Sequence, residues 1–437
     1  MRRSNRVLIG GLTVIGLTLT ACTTDEPSDD PDAGVEQDTG AEENGAAAGE
    51  EGDAENGGDA GEEGAEGDTE GGTEGGTEEG EFFVRADYEE ELAQRDAEPE
   101  GDPETPWLQM IEPEEMVDTS EFAAEGAQDL CFSNASVSNP WRVTGFITME
   151  EQVAVLQDEG VIADFRVADA GDDDNQQISD IQSFISDGDC GAIVISPSTT
   201  ATLTPAVEEA CESGAPVIVF DRGVNTDCAV TFIHPIGGYA YGAEGAEFLV
   251  DNLEPGSSVL ALRILPGVDV LENRWGAAND IFADSELEVV GTEFTEGDAA
   301  QIKDIVTQYL QRGDVDGIWM DAGDGAVAAV EAFEDMGMDY PAFVGEDELG
   351  FMRKWEETGM DAVGLSYSNF QWRTPALAAE MIWNGEEVPA EWVLPQEPVT
   401  EDELGDYLET NSEMPDLHYA KFGGEDLPGF PEAWQDR

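Results

Sequence analysis

From about residue 130 onward, short apolar runs alternate with longer stretches in which apolar positions recur every three or four residues. The first pattern predicts strands buried on both faces, and the second predicts amphipathic helices. Strands are predicted at 130–133, 163–167, 192–196 and 216–220. Between them, a helix is predicted through Val153 and Leu156, then one with Ile178, Ile181, Phe184 and Ile185 inward. Asp174 followed by Gln177 reads as a capping box for that second helix. Thr204 with Pro205 reads as the start of a third, and Gly214 as its stop. A second set follows, with strands at 258–264, from 289, at 317–320, 342–344 and 362–365. Helices lie between them, at 239–250, from Arg274, at 299–311 and through Val327, Val330 and Phe333. Strand–helix alternation in two successive sets predicts an α/β fold of two doubly wound parallel-sheet lobes.

The first set ends on Gly214-Ala-Pro-Val-Ile-Val-Phe-Asp221-Arg222-Gly223. In open α/β sheets, ligands bind beyond the carboxyl ends of the strands. Asp221 and Arg222 are therefore placed where a ligand would sit. A carboxylate that accepts and a guanidinium that donates suit a polyhydroxylated ligand, whose hydroxyls do both. The alternative is a structural ion pair closing the strand end. Both residues are expected outside the core, so Ala at either should leave the ligand-free fold near its original stability.

Composition changes the picture at the N-terminus. Arg2, Arg3 and Arg6 precede an apolar run over 7–20, as in a secretory signal. The run closes on Leu19-Thr20-Ala21-Cys22, which resembles a bacterial lipobox. That resemblance implies a signal peptide over 1–21 and lipidation of Cys22. Residues 23–80 hold 22 Asp or Glu, 15 Gly and no Lys or Arg. Such a segment cannot bury a core and reads as a disordered acidic tether. As a neutral flexible chain it would span about 40–45 Å, and repulsion should extend it. Residues 81–126 read as an irregular lead-in, and 401–437 as an irregular C-terminal tail.

The whole chain carries a formal charge of −83, and −64 remains without residues 1–80. Nucleic acid is excluded as a partner, since phosphate binding needs a basic patch. An acid-rich, lysine-poor surface fits a protein working at high salt, where self-repulsion is screened. Besides Cys22 there are Cys131, Cys190, Cys211 and Cys228, an even number outside the cell. Three pairings are possible. First and third strands of a doubly wound sheet are neighbours, which favours Cys131 with Cys190 and leaves Cys211 with Cys228. No CxxC spacing exists, and His234 and His418 are remote, so zinc is rejected. The acidic loop at 169–174 lacks EF-hand spacing and reads as a solvated helix cap. No cofactor is implied.

Taken together, Ser138-Asn-Pro-Trp-Arg142, Asp173-Asp-Asn-Gln-Gln-Ile-Ser-Asp-Ile-Gln182, Leu203-Thr-Pro-Ala-Val207, the stretch 214–223 and Gly345-Glu-Asp347 carry a resemblance. Residues 127–400 resemble the type I periplasmic sugar-binding proteins, close to the ribose-binding group of ABC importers. The resemblance implies two lobes joined by three crossovers, near His234-Pro235, Tyr367 and Pro389, with a sugar held between them. It implies 127–235 with 368–388 as lobe 1, and 236–367 with 389–400 as lobe 2. It carries ligand contact onto Asn139, Trp141 (stacking on the sugar ring), Asp221, Arg222, Arg274 and Asp347. The chain departs from the pattern at Arg142, in place of a second aromatic, at Gly323 with Asp324, where Asn is usual, and at Tyr367, near an expected Gln. Asn369 closes the same loop as Tyr367. These changes leave open which sugar is bound. The implied partners are a sugar or polyol, and permease and ATPase subunits, with the chain acting as a monomer.

An enzyme is not expected. There is no Gly-x-Ser-x-Gly elbow, phosphate loop or metal cluster in the sequence. A transcription regulator is excluded by the secretion signal and the lack of a basic helix-turn-helix. A sensing lipoprotein without transport is left open.

Overall fold

The computed structural model describes residues 83–323, 325–430 and 432–435. Cys22, the signal-like start, the acidic tether and Asp324 lie outside the described residues. In chain order, helix α1 (Arg85–Arg95) and a short strand β1 (Met116–Val117) precede the first lobe. That lobe runs β2 (Gln128–Asn134), α2 (Pro140–Asp158), β3 (Ile162–Asp169), α3 (Asp174–Asp187), β4 (Ala192–Ser196), α4 (Thr200–Glu212), β5 (Val217–Phe220) and β6 (Thr231–Pro235). The second runs α5 (Tyr239–Asn252), β7 (Ser258–Arg263), α6 (Asp269–Asp284), β8 (Glu288–Phe294), α7 (Ala299–Leu310), β9 (Gly317–Met320), α8 (Ala326–Met336), β10 (Ala342–Glu346), α9 (Leu349–Thr358) and β11 (Ala362–Leu365). The chain closes with α10 (Thr374–Asn384), β12 (Val388–Pro389), β13 (Glu391–Leu394), α11 (Glu401–Thr410) and α12 (Glu432–Gln435).

The first sheet is six-stranded in the order β13-β6-β5-β4-β2-β3, and the second five-stranded in the order β11-β10-β9-β7-β8. All pairs within these two sheets are parallel. The inner strands β4, β5, β9 and β10 are buried at every residue, as strands covered by helices on both faces must be. Edge strands β3 and β8 carry mostly exposed and half-buried positions, with charged residues that blunt the edge. Because β2 lies beside β4, Cys131 and Cys190 meet with Cα atoms 5.7 Å apart, and Cys211 bonds to Cys228.

Several boundaries differ from the sequence expectation. Residues 391–394 pair with β6 and belong to the first lobe, not the second. Trp392 is fully buried in that lobe's core, and this decides the strand's side. Only beyond Pro395 does the chain cross over, where Val399 bridges to Gly364 of the second lobe. The lead-in is not irregular throughout. Phe83 and Tyr88 pack on Tyr239, Ala243 and Ala277 of the second lobe, and β1 pairs with β12. Further along, Ile111 N donates to Val393 O at 2.9 Å and Trp392 Nε1 to Gln109 O at 2.9 Å, tying the same segment to the first lobe. The tail is ordered too. His418 O accepts from Leu349 N in the second lobe, and Arg373, stacked 3.5 Å over Trp107, donates to Gly423 O and Asp426. Lead-in and tail thus add two connections beside the crossovers.

Local starts also shift. Asp173, not Asp174, caps α3 by accepting from Gln176 N. Gln177 is buried and bridges Ser196 O and Ser198 N, each at 2.8 Å, so it closes no capping box. Helix α4 begins at Thr200 and carries Pro205 inside it, rather than at its first position.

Candidate functional site

The first lobe's floor is made by the ends of β2, β4 and β5 and the start of α2. Asn139 caps α2 by accepting from Arg142 N at 2.9 Å, with Pro140 pre-set for the first turn. This aims Arg142 across the strand ends. Its Nη2 donates to Asp221 Oδ2 at 2.7 Å, and Ser196 Oγ donates to the same oxygen at 3.3 Å. Both side chains of the pair are about nineteen-twentieths buried, at 3% and 4% exposure. Asp221 has a φ of 70°, a left-handed conformation uncommon for a residue with a Cβ. Its backbone is held from two sides, by N–H donation to Ile233 O at 3.0 Å and by acceptance from Tyr367 Oη at 2.9 Å. The expectation that Asp221 lies outside the core is therefore corrected: it is the buried partner of Arg142. Arg222 turns the other way. Its Nη1 donates to Ser198 O at 2.6 Å, and burial lowers its pKa, helped by the like charge of Arg142.

Trp141 packs in the first-lobe core, its ring 5.4 Å from Tyr367 and 5.8 Å from Trp372. Its Nε1 donates to Tyr367 O at 2.7 Å, and Asn369 Nδ2 donates to Trp141 O at 2.7 Å. Tyr367 is the hub. It touches Asp221 in one lobe, lies 5.0 Å from the Arg274 guanidinium in the other, and packs so tightly on Gly237 that a Cβ there would overlap its ring.

In the second lobe, Arg274 projects from α6. Its Nε donates to Gly237 O at 2.7 Å and its Nη1 to Asp321 O at 2.5 Å, with the guanidinium 3.9 Å over the Tyr241 ring. Glu346 Oε1 stands 3.7 Å away and accepts from Tyr241 Oη. Gly323 is side-chainless for a local reason: a Cβ would stand 2.6 Å from Glu346 Cβ. Burial raises the pKa of Asp321 to about 7, against the Ile264 N–H bond and Arg263. It does the same to Asp347, to about 7, against the Lys421 N–H bond.

Asp347 was expected to face a ligand. The tail holds it instead: Lys421 N donates to Oδ2 at 2.7 Å and Ala420 N to its carbonyl at 2.8 Å. Its Oδ1, like Asn369 Oδ1, is buried with no hydrogen-bond partner among the described residues.

A cavity of about 340 Å³ lies where the two lobes face each other. The first lobe gives it Ser198, Asp221, Arg222 and Asn225, the crossover His234, Gly237 and Gly238, and the second lobe Val268, Asp269 and Asn273. Tyr367 and Glu91 also line it. Of the residues expected at the site, Asp221, Arg222 and Tyr367 line this cavity. Asn139, Trp141, Arg142, Arg274, Gly323, Asp347 and Asn369 are not among its lining residues; Arg142, Trp141 and Arg274 bond to residues that are, Asp221, Tyr367 and Gly237. Asp269 and Asn273 lie one helical turn apart and so share a face of α6, though not Arg274's, and that polar spacing just ahead of Arg274 was the signal that could have found them. Glu91 had no such signal. A wider hollow of about 700 Å³ between lead-in and tail holds none of the expected residues. Among the described residues, no cluster of His, Cys, Asp and Glu is arranged for a metal.

The comparisons agree with this architecture. The ribose import binding protein of Bacillus subtilis (strain 168) is 28% identical over 174 residues, 40% of this chain and 56% of the relative, so the match spans just over half of that protein. An ABC transporter solute binding protein from Thermobispora bispora DSM 43833 superposes with a TM-score of 0.60 at 20% identity, over 70% of this chain and 96% of that one. Another, from Bacillus halodurans C-125 with bound myo-inositol, superposes with a TM-score of 0.58 at 22% identity, over 65% and 98%. These relatives are solute-binding proteins, not enzymes. Residues 130–387 match the model of the periplasmic binding protein domain, and the chain belongs to that family.

Proposed function

We propose that the chain captures a monosaccharide or similar polyol between its lobes and delivers it to the permease and ATPase subunits of an ABC importer. The carrying observation is the 340 Å³ cavity at the carboxyl ends of the strands, walled by both lobes. Its volume falls in the range of small-molecule sites. Its wall mixes carboxylates (Asp221, Asp269), a guanidinium (Arg222), amides (Asn225, Asn273) and hydroxyls (Ser198). A polyol needs that mixture, since every hydroxyl both donates and accepts. The ribose and myo-inositol named for the relatives are ligands of this kind.

A thermal-shift panel of pentoses, hexoses and polyols tests the reading. A bound ligand adds about 2.7 kcal/mol at a hundredfold excess over Kd. At least one strong hit is expected. Arg222→Ala should keep the ligand-free melting point, because the half-buried side chain has a single carbonyl partner described above. It should still weaken the hit by roughly ten-fold or more, as a hydroxyl loses its charged partner. No hit, or wild-type affinity in Arg222→Ala, would count against a sugar site here.

The lipid anchor is proposed on Leu19-Thr20-Ala21-Cys22 behind its apolar run. Cys22→Ser should free the protein from membranes; a processed variant still membrane-bound would refute the anchor.

A further inference from the structure

Glu91 belongs to α1, ahead of the matched residues 130–387, yet it forms part of the cavity wall. Helix α1 is fixed to the second lobe from outside the cavity. Arg85 makes a two-pronged pair with Asp280, at 2.7 and 2.8 Å, and Arg95 Nη1 lies 2.9 Å from Glu247 Oε2. So anchored, the helix lays the Glu91 carboxylate on the first turn of α5. Oε1 accepts from Gly238 N at 2.7 Å, and Oε2 from Tyr239 N at 2.8 Å. The Ala240 N–H bears on the same carboxylate, and since a carboxylate has about four acceptor positions, acceptor capacity is still left for a ligand. Burial raises the pKa of Glu91, the backbone bonds opposing it.

The charges around the cavity define what it can admit. Its wall carries three carboxylates, Glu91, Asp221 and Asp269, with Arg222 and His234 as its basic residues, and Arg142 behind the wall offsets the charge of Asp221. Arg222 gives one of its five donors to the neutral Ser198 O and keeps its charge, while His234 Nε2 lies 3.0 Å from Glu391 Oε1, a further carboxylate. An anionic sugar would bring a further negative charge against Glu91 and Asp269 in this partly open cleft, where charges are screened less than in bulk water. A neutral polyol instead offers hydroxyl donors to the free acceptor positions, in charge-assisted hydrogen bonds.

We infer that Glu91 is a specificity-determining residue of the cleft, accepting a hydroxyl of a neutral sugar or polyol and turning away acidic sugars. The ligand site then extends beyond the family domain into the lead-in helix. This inference rests on the polyol reading above.

Isothermal titration of the full chain with D-ribose, L-arabinose, D-allose and myo-inositol, and with D-ribonate and D-glucuronate, tests it. Wild type should bind at least one neutral probe and neither acid. Glu91→Gln should bind that neutral probe about ten-fold or more weakly, and its preference for neutral over acidic probes should fall. A purely structural role would not alter that preference, so an unchanged ratio overturns the inference even if affinity drops. Wild type binding an acid as tightly as a neutral probe overturns it as well. If Arg222→Ala weakens the neutral probe and Glu91→Gln does not, the polyol reading stands and this inference alone falls. If wild type binds nothing in the panel, the polyol reading fails and this inference fails with it.

Discussion

Replacing Asp221 by Ala is expected to destabilise the ligand-free first lobe by about 3–5 kcal/mol, the usual loss when one member of a buried ion pair is removed. The variant strands the Arg142 guanidinium in the core, where it is 3% exposed and keeps a long 3.4 Å contact to Ser196 Oγ and the Trp141 ring 5.7 Å away. Backbone conformation adds to the cost. Position 221 holds a φ of 70°, which Asp tolerates better than Ala does. The lobe's melting transition should therefore fall by roughly 6–20 °C. The double variant Arg142→Met with Asp221→Leu should recover much of the loss, since apolar replacement of a whole buried pair is often neutral or better. Calorimetry of the ligand-free chain decides this. A single variant melting like wild type would mean that the pair contributes nothing and that Asp221 is free to serve a ligand alone.

This result runs against the sequence expectation, and the reason is geometric. Asp221 and Arg222 are adjacent in sequence, which suggested a joint role. At a strand end, successive side chains diverge. The true partner of Asp221 comes from 79 residues away, through the capped start of α2. The parallel sheets were legible because continuous apolar runs such as Ile193, Val194 and Ile195 have few other folded uses. Strand β13 was misplaced because Trp392, Val393 and Leu394 form a run too brief, between Pro389 and Pro395, to reveal its sheet. Helix α1 was missed because only Tyr88 and Leu92 mark its inner face, and tertiary anchors such as Arg85 with Asp280 hold it. The tail's hold on Asp347 likewise leaves no local mark in either segment.

Stability of the ligand-free second lobe is expected to fall as pH rises from about 5 to 8. Asp321 and Asp347 are almost wholly buried, at 0% and 1% exposure, and their pKa values stand at about 7. An unfolded Asp titrates near 3.9. A carboxyl whose folded pKa is raised binds its proton more tightly in the fold than in the open chain. Its contribution is complete below about pH 4 and is lost as pH climbs through 7. Each group can account for on the order of 3–4 kcal/mol across that window. Surface repulsion among the excess acids acts in the same direction, but salt separates the two. Molar potassium chloride screens exposed carboxylates and reaches a buried pair far less. The slope of melting temperature against pH should therefore persist at high salt. Asp347→Asn should flatten it and raise stability at pH 8, because the amide oxygen can still accept from Lys421 N while the buried charge is gone. A melting temperature that rises with pH, or an Asp347→Asn slope equal to wild type, would show that these carboxyls are not held protonated by the fold.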